Sequence, residues 1–221
     1  MATLFVTSSG TGIGKTYVTL RLIAELKAAG RRVRALKPVA SGFDAAQPGE
    51  GDTGALLRAL ELEPTAANLD AVSPWRFAAP LSPDMAAARE RRAVPFDSLV
   101  AHCRTAARQG DVTLIEGIGG VMVPLDDRHT VLDWIAALGA PTLLVVGSYL
   151  GTLSHSLTAA AALRGRGVTV AGLVVSESEE QPVAAAETAA TLSRFVAPVA
   201  VRVLPRAAPV PLLPLVSPYL A

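Results

Sequence analysis

The segment Phe5-Val-Thr-Ser-Ser-Gly-Thr-Gly-Ile-Gly-Lys-Thr16 sets a strand-like apolar run, a glycine-rich turn and a Lys-Thr pair in direct succession. Backbone N–H groups in such a turn, backed by a helix N-terminus, cradle phosphate oxygens. In that arrangement Lys15 supplies a point charge to the β- and γ-phosphates, and the Thr16 hydroxyl faces Mg²⁺. Gly12 and Gly14 let the backbone approach a nucleotide with no Cβ in the way. The turn residues Gly12, Ile13 and Gly14, with Lys15, Thr16 and the following Tyr17, are therefore read as nucleotide-binding. The strict motif places a glycine five positions before Gly14, where this chain has Ser9; Gly10 is expected to take over the tight turn. A plain strand–helix turn would not need the Gly-Lys-Thr sequence, so the reading is a phosphate loop.

Ligands of open α/β sheets bind beyond the carboxyl ends of the strands, which singles out further charged residues. Lys37 closes Val33-Arg-Ala-Leu-Lys37, and Pro38 is expected to stop that strand and leave the ammonium at the rim. Beside a phosphate loop a second lysine has an electrostatic role; the alternative is a solvent-facing strand end. Glu116 closes Val112-Thr-Leu-Ile-Glu116 and precedes Gly117-Ile-Gly-Gly120, which points to an acid aimed at a site. Mg²⁺ takes hard oxygen ligands together with substrate phosphates, so Thr16 and Glu116 suit it. Asp52 precedes Thr53-Gly-Ala-Leu-Leu57 and reads equally as a metal ligand or as a helix N-cap. Asp44 and Glu50 of the same segment are expected to be solvated. His102, His129 and His155 lack metal-ligand spacing, and Cys103 lies in a helical stretch. None of them is assigned chemistry.

The elements that would position these groups alternate as short β-branched runs and Ala/Leu-rich helical patterns, the pattern of a parallel sheet covered by helices. Expected strands are Thr3–Thr7, Arg32–Lys37, Val112–Glu116, Thr142–Gly147, Thr169–Ser176 and Pro198–Val203. A helix should run from near Gly14 to before Gly30, with Val18, Leu22, Leu26 and Ala29 on its buried face. Thr130-Val-Leu-Asp133 resembles a capping box, and Leu153–Arg166 and Val183–Val196 read as further helices. Pro38–Asp52 and Ser73–Asp84 are expected as loops over one sheet edge. The uncharged tail from Ala207 to Ala221, with four prolines, is expected to pack on the body or on a partner subunit. The fold expected is a P-loop NTPase-type α/β domain over residues 1–221, an open, mostly parallel sheet with helices on both faces.

Composition limits the remaining classes. With 51% hydrophobic and 18% charged residues the chain can bury a large core. A net charge of +1 offers no field for nucleic acid or an acidic membrane surface. The longest apolar runs, such as Pro141-Thr-Leu-Leu-Val-Val146, are strand-sized rather than membrane-spanning. A lone cysteine fits a reducing compartment, and phosphate-loop chemistry at the N-terminus leaves no room for a signal peptide. Cytoplasm is the expected location.

Taken in order, Thr7 to Thr16, Lys37-Pro-Val-Ala-Ser-Gly42, Glu116-Gly-Ile-Gly-Gly120 and Leu150-Gly-Thr-Leu-Ser-His155 resemble the dethiobiotin synthetase family. The resemblance covers most of the chain and weakens after Ser176; Lys-Pro-Val-x-Ser-Gly is its most specific element. It implies ATP- and Mg²⁺-dependent closure of a ureido ring on 7,8-diaminopelargonic acid with CO₂. One amine becomes a carbamate, ATP phosphorylates it, and the second amine displaces phosphate. It further implies that Lys15, Lys37 and Thr11 act at the reacting groups. Thr11 and Ser41 would bind substrate or carbamate, and Thr16, Asp52 and Glu116 would hold Mg²⁺. Gly117, Ile118 and Gly119 would line the diamine site. Leu150, Gly151, Thr152, Leu153 and Ser154 would open a helix receiving the substrate carboxylate across a homodimer. The base would lie near Ser176 and Pro205. This chain departs from the family pattern at Ser8 (often glycine), at Gly12 (glutamate in some members) and at Ser176-Glu177 (an Asn-Asp-like pair in many). Two other readings compete: an amidoligase domain of the cobyrinic acid diamide synthase type, and a ParA- or MinD-like switch ATPase. The first usually has Gly-Pro-Asp after the second-strand lysine, and the second an extra lysine where this loop has Gly10.

Overall fold

In the computed structural model, residues 1–208 and 210–220 are described. In chain order the elements are β1 (Ala2–Ser8), α1 (Lys15–Ala28), β2 (Val33–Leu36), β3 (Val39–Ser41), α2 (Gly51–Ala59), α3 (Ala66–Val72), β4 (Trp75–Phe77) and α4 (Pro83–Arg89). They continue with α5 (Phe96–Ala106), β5 (Val112–Glu116), α6 (Val131–Leu138), β6 (Thr142–Val146), α7 (Thr152–Gly165), β7 (Val170–Ser176), α8 (Ala185–Val196), β8 (Val201–Leu204) and α9 (Leu213–Val216).

Six strands form one parallel sheet in the order β2-β5-β1-β6-β7-β8. Alternate residues of its central strands feed two cores. Leu4, Val6, Leu114, Leu143 and Val145 pack with Val18, Leu22, Leu26 and the tail residues Leu212 and Val216. Phe5, Ile115, Leu144 and Val146 pack with Leu99, Trp134, Leu163 and Leu192 of α5 to α8. Strands buried on both faces carry continuous apolar runs, which is why the central strands were legible in sequence, whereas the edge strands β2 and β8 are only partly buried and include Arg34 and Arg202. The strand ends shift slightly: β2 stops at Leu36 and β8 begins at Val201.

Two expectations are corrected here. Pro38–Asp52 and Ser73–Asp84 are not only loops: β3 and β4 pair in parallel, Val39 with Trp75 and Ser41 with Phe77. Three-residue strands are too short to show alternation. What holds them is non-local: Lys37 N–H donates to Val72 O at 3.0 Å, Trp75 N–H to Pro38 O at 3.0 Å, and the Ser73 hydroxyl to Lys37 O at 2.6 Å. On α1, Ala29 is an exposed C-cap, and Thr19 and Ile23 join Val18, Leu22 and Leu26 on the buried face. The capping box at Thr130 and Asp133 is present as expected.

The described part of the tail packs on the body, where Leu212, Leu215, Val216 and Leu220 are buried; Pro209 and Ala221 lie outside the described residues. A Cβ on Gly172 would come within 2.6 Å of Leu215, so the tail sits directly on β7. Glu25 of α1 ties it down, its Oε2 accepting from the Leu212 and Leu213 N–H groups at 2.9 and 2.7 Å. Arg31 donates to Leu220 O at 3.0 Å.

Candidate active site

The carboxyl ends of β1, β2 and β5 lie side by side in the sheet, so the turns that follow them meet at one edge. β1 leads into the phosphate loop, which runs directly into α1. Gly12 and Gly14 take φ of 71° and 96°, a region that other residues adopt only at a cost, whereas Gly10 stays outside it. The expected turn at Gly10 therefore falls instead at Gly12 and Gly14. A Cβ on Gly14 would also strike Ser176 Oγ at 2.7 Å. Gly120 approaches Ser9 and Gly10 so closely that a Cβ would lie 3.2 Å from their backbone, drawing the turn after β5 onto the phosphate loop.

Lys15 is buried and donates to Gly119 O at 2.8 Å, to Ser8 Oγ at 3.0 Å and to Gly10 O at 3.3 Å. Ser8 itself is fully buried, and its hydroxyl faces Gly10 O at 2.5 Å and Gly119 O at 2.9 Å. Having one proton, it donates to one carbonyl at a time while accepting from Lys15. Burial, and then the charge of Lys37, pull the Lys15 ammonium down to about 8, with Glu116 and Asp52 opposing.

Lys37 is 3% exposed rather than at an open rim. Its Nζ lies 2.6 Å from Glu116 Oε1 and 2.9 Å from Asp52 Oδ2. Burial alone would lower its pKa, but the two carboxylates outweigh that and hold it above the usual lysine range. Burial likewise pushes Asp52 up, and the Lys37 charge and hydrogen bonds from Lys37 and Thr16 bring it below the usual carboxylate range. Thr16 Oγ1 stands 2.8 Å from both Asp52 Oδ1 and Glu116 Oε1. Glu116 is wholly buried, and among the described residues its Oε2 has no hydrogen-bond partner. The N-cap reading of Asp52 does not hold: Glu50 is the N-cap of α2, and Asp52 sits in its first turn with its side chain turned to Thr16 and Lys37.

All of these polar side chains except the buried Ser8 and Glu116 border a cleft of about 500 Å³ lined by Thr11, Gly12, Ile13, Gly14, Lys15, Thr16, Lys37, Ser41, Asp52, Ile118 and Gly119 among others. A Cβ on Gly117, expected with Ile118 and Gly119 at the diamine site, would come within 2.9 Å of the Phe5 ring, and Gly117 does not line the cleft. Phe43, Asp44, Gln47 and Glu50 also line it. Asp44 and Glu50 are exposed, as expected, but their place at the cleft was not foreseen. A second cleft of about 450 Å³ shares Gly12, Ile13 and Gly14 and adds Tyr17, Ser176, Glu177, Ser178, Glu179, Leu204, Pro205 and Arg206. Glu177 fixes its floor by accepting from Arg206 N–H at 2.8 Å and from Gln181 at 3.0 Å. Because Ser176 ends β7 and Leu204 ends β8, the strand-end rule applied to every strand would have found these neighbours.

Leu150 to Ser154 line neither cleft. Gly151 is the N-cap of α7, at φ 94° and without a side-chain cap, so neither Thr152 nor Ser154 serves that purpose. Thr152 is buried and donates to Gly147 O at 2.8 Å. Ser154 and Leu150 are exposed.

Thr16, Asp52 and Glu116 present hard oxygens, one buried and unpartnered, and this donor set suits a small divalent cation sharing its other positions with phosphate and water. No group of three or more His, Cys, Asp or Glu side chains converges among the described residues, so these three alone would not enclose a metal.

A parallel sheet, a phosphate loop with its Lys-Thr pair and a carboxylate-held lysine at one edge define a P-loop nucleotide-dependent α/β protein. A family model described as an AAA domain matches residues 2–219. Among curated proteins the chain is 49% identical over 198 residues to the ATP-dependent dethiobiotin synthetase BioD of Acidiphilium cryptum, covering 88% of each chain. It is 50% identical over 200 residues to that of Methylobacterium nodulans, covering 88% of this chain and 89% of the relative. With that of Caulobacter vibrioides it shares 47% identity over 184 residues, 82% of this chain and 83% of the relative. The chain belongs to the ATP-dependent dethiobiotin synthetase family, and it is an ATP-dependent ligase of biotin biosynthesis. Among solved structures the septum site-determining protein MinD of Pyrococcus horikoshii is similar at 18% identity and a TM-score of 0.49, covering 92% of this chain and 81% of that one.

Proposed function

We propose that the first cleft is where this chain closes the ureido ring of dethiobiotin from 7,8-diaminopelargonate, CO₂ and ATP, working as a single domain. The observation that carries this is the convergence of Lys15, Thr16, Lys37, Asp52 and Glu116 at one strand edge. One amine adds to CO₂ to give a carbamate; its oxygen attacks the γ-phosphorus and ADP leaves. The second amine then attacks the carbonyl carbon and phosphate departs with its bonding pair. No nucleophilic side chain is required, so catalysis is positioning and charge. Lys15 and the amides of Gly12 to Thr16 hold the triphosphate. Lys37 faces the carbamate and the transferring phosphoryl, and Thr11 and Ser41 hydrogen-bond the carbamate. Ile118 and Gly119 line the diamine path.

Mg²⁺, held by Thr16, Asp52 and Glu116 directly or through water, would neutralise phosphate charge when bound. The second cleft takes the base, bordered by Tyr17, Ser176 and Pro205. The substrate carboxylate goes to the first turn of α7 on a partner copy, where the N–H groups of Thr152, Leu153 and Ser154 start a helix. In support, Leu150 is 84% exposed and Met122 56%, apolar residues on the turns that border this edge. A homodimer with shared sites would cover them. The cytoplasm is the compartment proposed; no helix among the described residues is long and apolar enough to cross a membrane.

The test is to incubate the protein with ATP, Mg²⁺, bicarbonate and diaminopelargonate and to follow dethiobiotin by mass spectrometry. ATP hydrolysis that ignores diamine and bicarbonate would favour a switch ATPase instead.

A further inference from the structure

Glu116 lines neither cleft, although a strand-end acid should reach one. The cause is local: Lys37 Nζ at 2.6 Å and Thr16 Oγ1 at 2.8 Å cover its Oε1. The same Nζ holds Asp52 Oδ2 at 2.9 Å, so one ammonium bridges both carboxylates that flank Thr16. Lys15 does not share this arrangement, for its three acceptors are the neutral oxygens of Ser8, Gly10 and Gly119. A divalent ion and the Lys37 ammonium therefore have overlapping ligands: two of the three N–H donors of Lys37 are spent on carboxylates that the ion would need, and a carbamate gains the full ammonium only when they are given up.

We propose that Lys37 competes with the divalent cation for Asp52 and Glu116, so that metal entry and the release of Lys37 toward substrate are a single exchange. This rests on reading Thr16, Asp52 and Glu116 as the metal-facing set. Two consequences follow. Metal alone binds poorly because it must displace a buried, hydrogen-bonded ammonium; metal with nucleotide binds well because the phosphates add ligands and give the released lysine an anionic partner. A competing conformer lowers apparent affinity by the fraction of molecules that hold it.

Mn²⁺ binding, read from the electron-spin-resonance signal of the free aquo ion, tests this on the intact protein. Without nucleotide, Lys37→Gln should bind Mn²⁺ on the order of tenfold or more tightly than wild type, and Lys37→Arg should gain nothing. Because Lys37→Gln strands a buried carboxylate and folds less firmly, melting is followed as well: Mn²⁺ should raise its Tm by clearly more than it raises that of wild type. Equal Mn²⁺ affinities and equal Tm shifts in the two proteins would overturn the exchange. A third comparison separates this from the underlying metal reading. With a non-hydrolysable ATP analogue present, Glu116→Gln should weaken Mn²⁺ binding relative to wild type. Unchanged affinity there sinks the metal set and the exchange together, whereas a loss there without a gain in Lys37→Gln sinks the exchange alone.

Discussion

Removing the Lys37 charge should harm stability and catalysis separately, and the two losses can be told apart. Lys37 is 3% exposed and Glu116 wholly buried, and their atoms meet at 2.6 Å. Deleting one partner of such a pair costs about 3–5 kcal/mol because the other is left buried and unpaired. Two features place this case at the lower end: the side chain of Asp52 is 50% exposed and can rehydrate, and Thr16 still offers its hydroxyl to Glu116. About 3 kcal/mol in a chain of this size lowers Tm by roughly 6–12 °C. Catalysis suffers for a different reason, since a preorganised charge on a transferring group is worth about 10²–10³-fold in kcat. The double variant Lys37→Gln/Glu116→Gln pairs two neutral amides and should recover more than half of the lost stability while remaining inactive. Thermal denaturation of wild type, Lys37→Gln and the double variant, with single-turnover ring closure at a temperature where each is folded, separates the effects. A single variant melting within about 1 °C of wild type, or a double variant no more stable than the single, would refute the account of the pair.

Lys15 has its pKa lowered to about 8, so its charge is lost at a pH where an ordinary lysine keeps it; ATP affinity of the free enzyme should fall as pH rises through 8, with a flat profile to pH 10 counting against this. The sign for stability is opposite: between about 8 and the ordinary value of 10.5 the unfolded chain binds more protons than the folded one, so this group's contribution to stability grows with pH across that window. Ser176 can donate and accept through its hydroxyl, so at least one other nucleoside triphosphate should support turnover, and strict ATP dependence would move selectivity elsewhere. Mixing Ser154→Asp with Lys37→Ala protein should restore ring closure that neither has alone, because one site of a mixed dimer keeps both residues; no recovery after verified subunit exchange refutes the shared site. Glu25→Ala frees two N–H groups of the tail, and with charge-assisted bonds worth about 2 kcal/mol it should lower Tm by roughly 4–8 °C while leaving kcat near that of wild type.

What could be read from sequence follows from how far apart in the chain the causes lie. The central sheet strands and α1 are specified by apolar runs within a few residues, and the phosphate loop by a contiguous segment. β3 and β4 have no such local cause: their pairing depends on Ser73 reaching Lys37 O, 36 residues away. Asp52 was ambiguous because a helix start and a metal ligand use the same carboxylate, and only the placement of Glu50, Thr16 and Lys37 removes the first of these. Ser8 stood out merely as a departure from a glycine, while its hydrogen bond to Gly119 spans 111 residues. Sequence thus identified the charges but not their partners, and in this site the partners decide the chemistry. Both lysines are already engaged, Lys15 by neutral oxygens and Lys37 by two carboxylates. On the proposed reading, an incoming phosphate would outcompete carbonyls for Lys15 by charge, whereas Lys37 would be freed when a cation takes over its carboxylates. Under the proposed exchange a metal–nucleotide pair would supply both at once and bring a second positive charge to the proposed carbamate site.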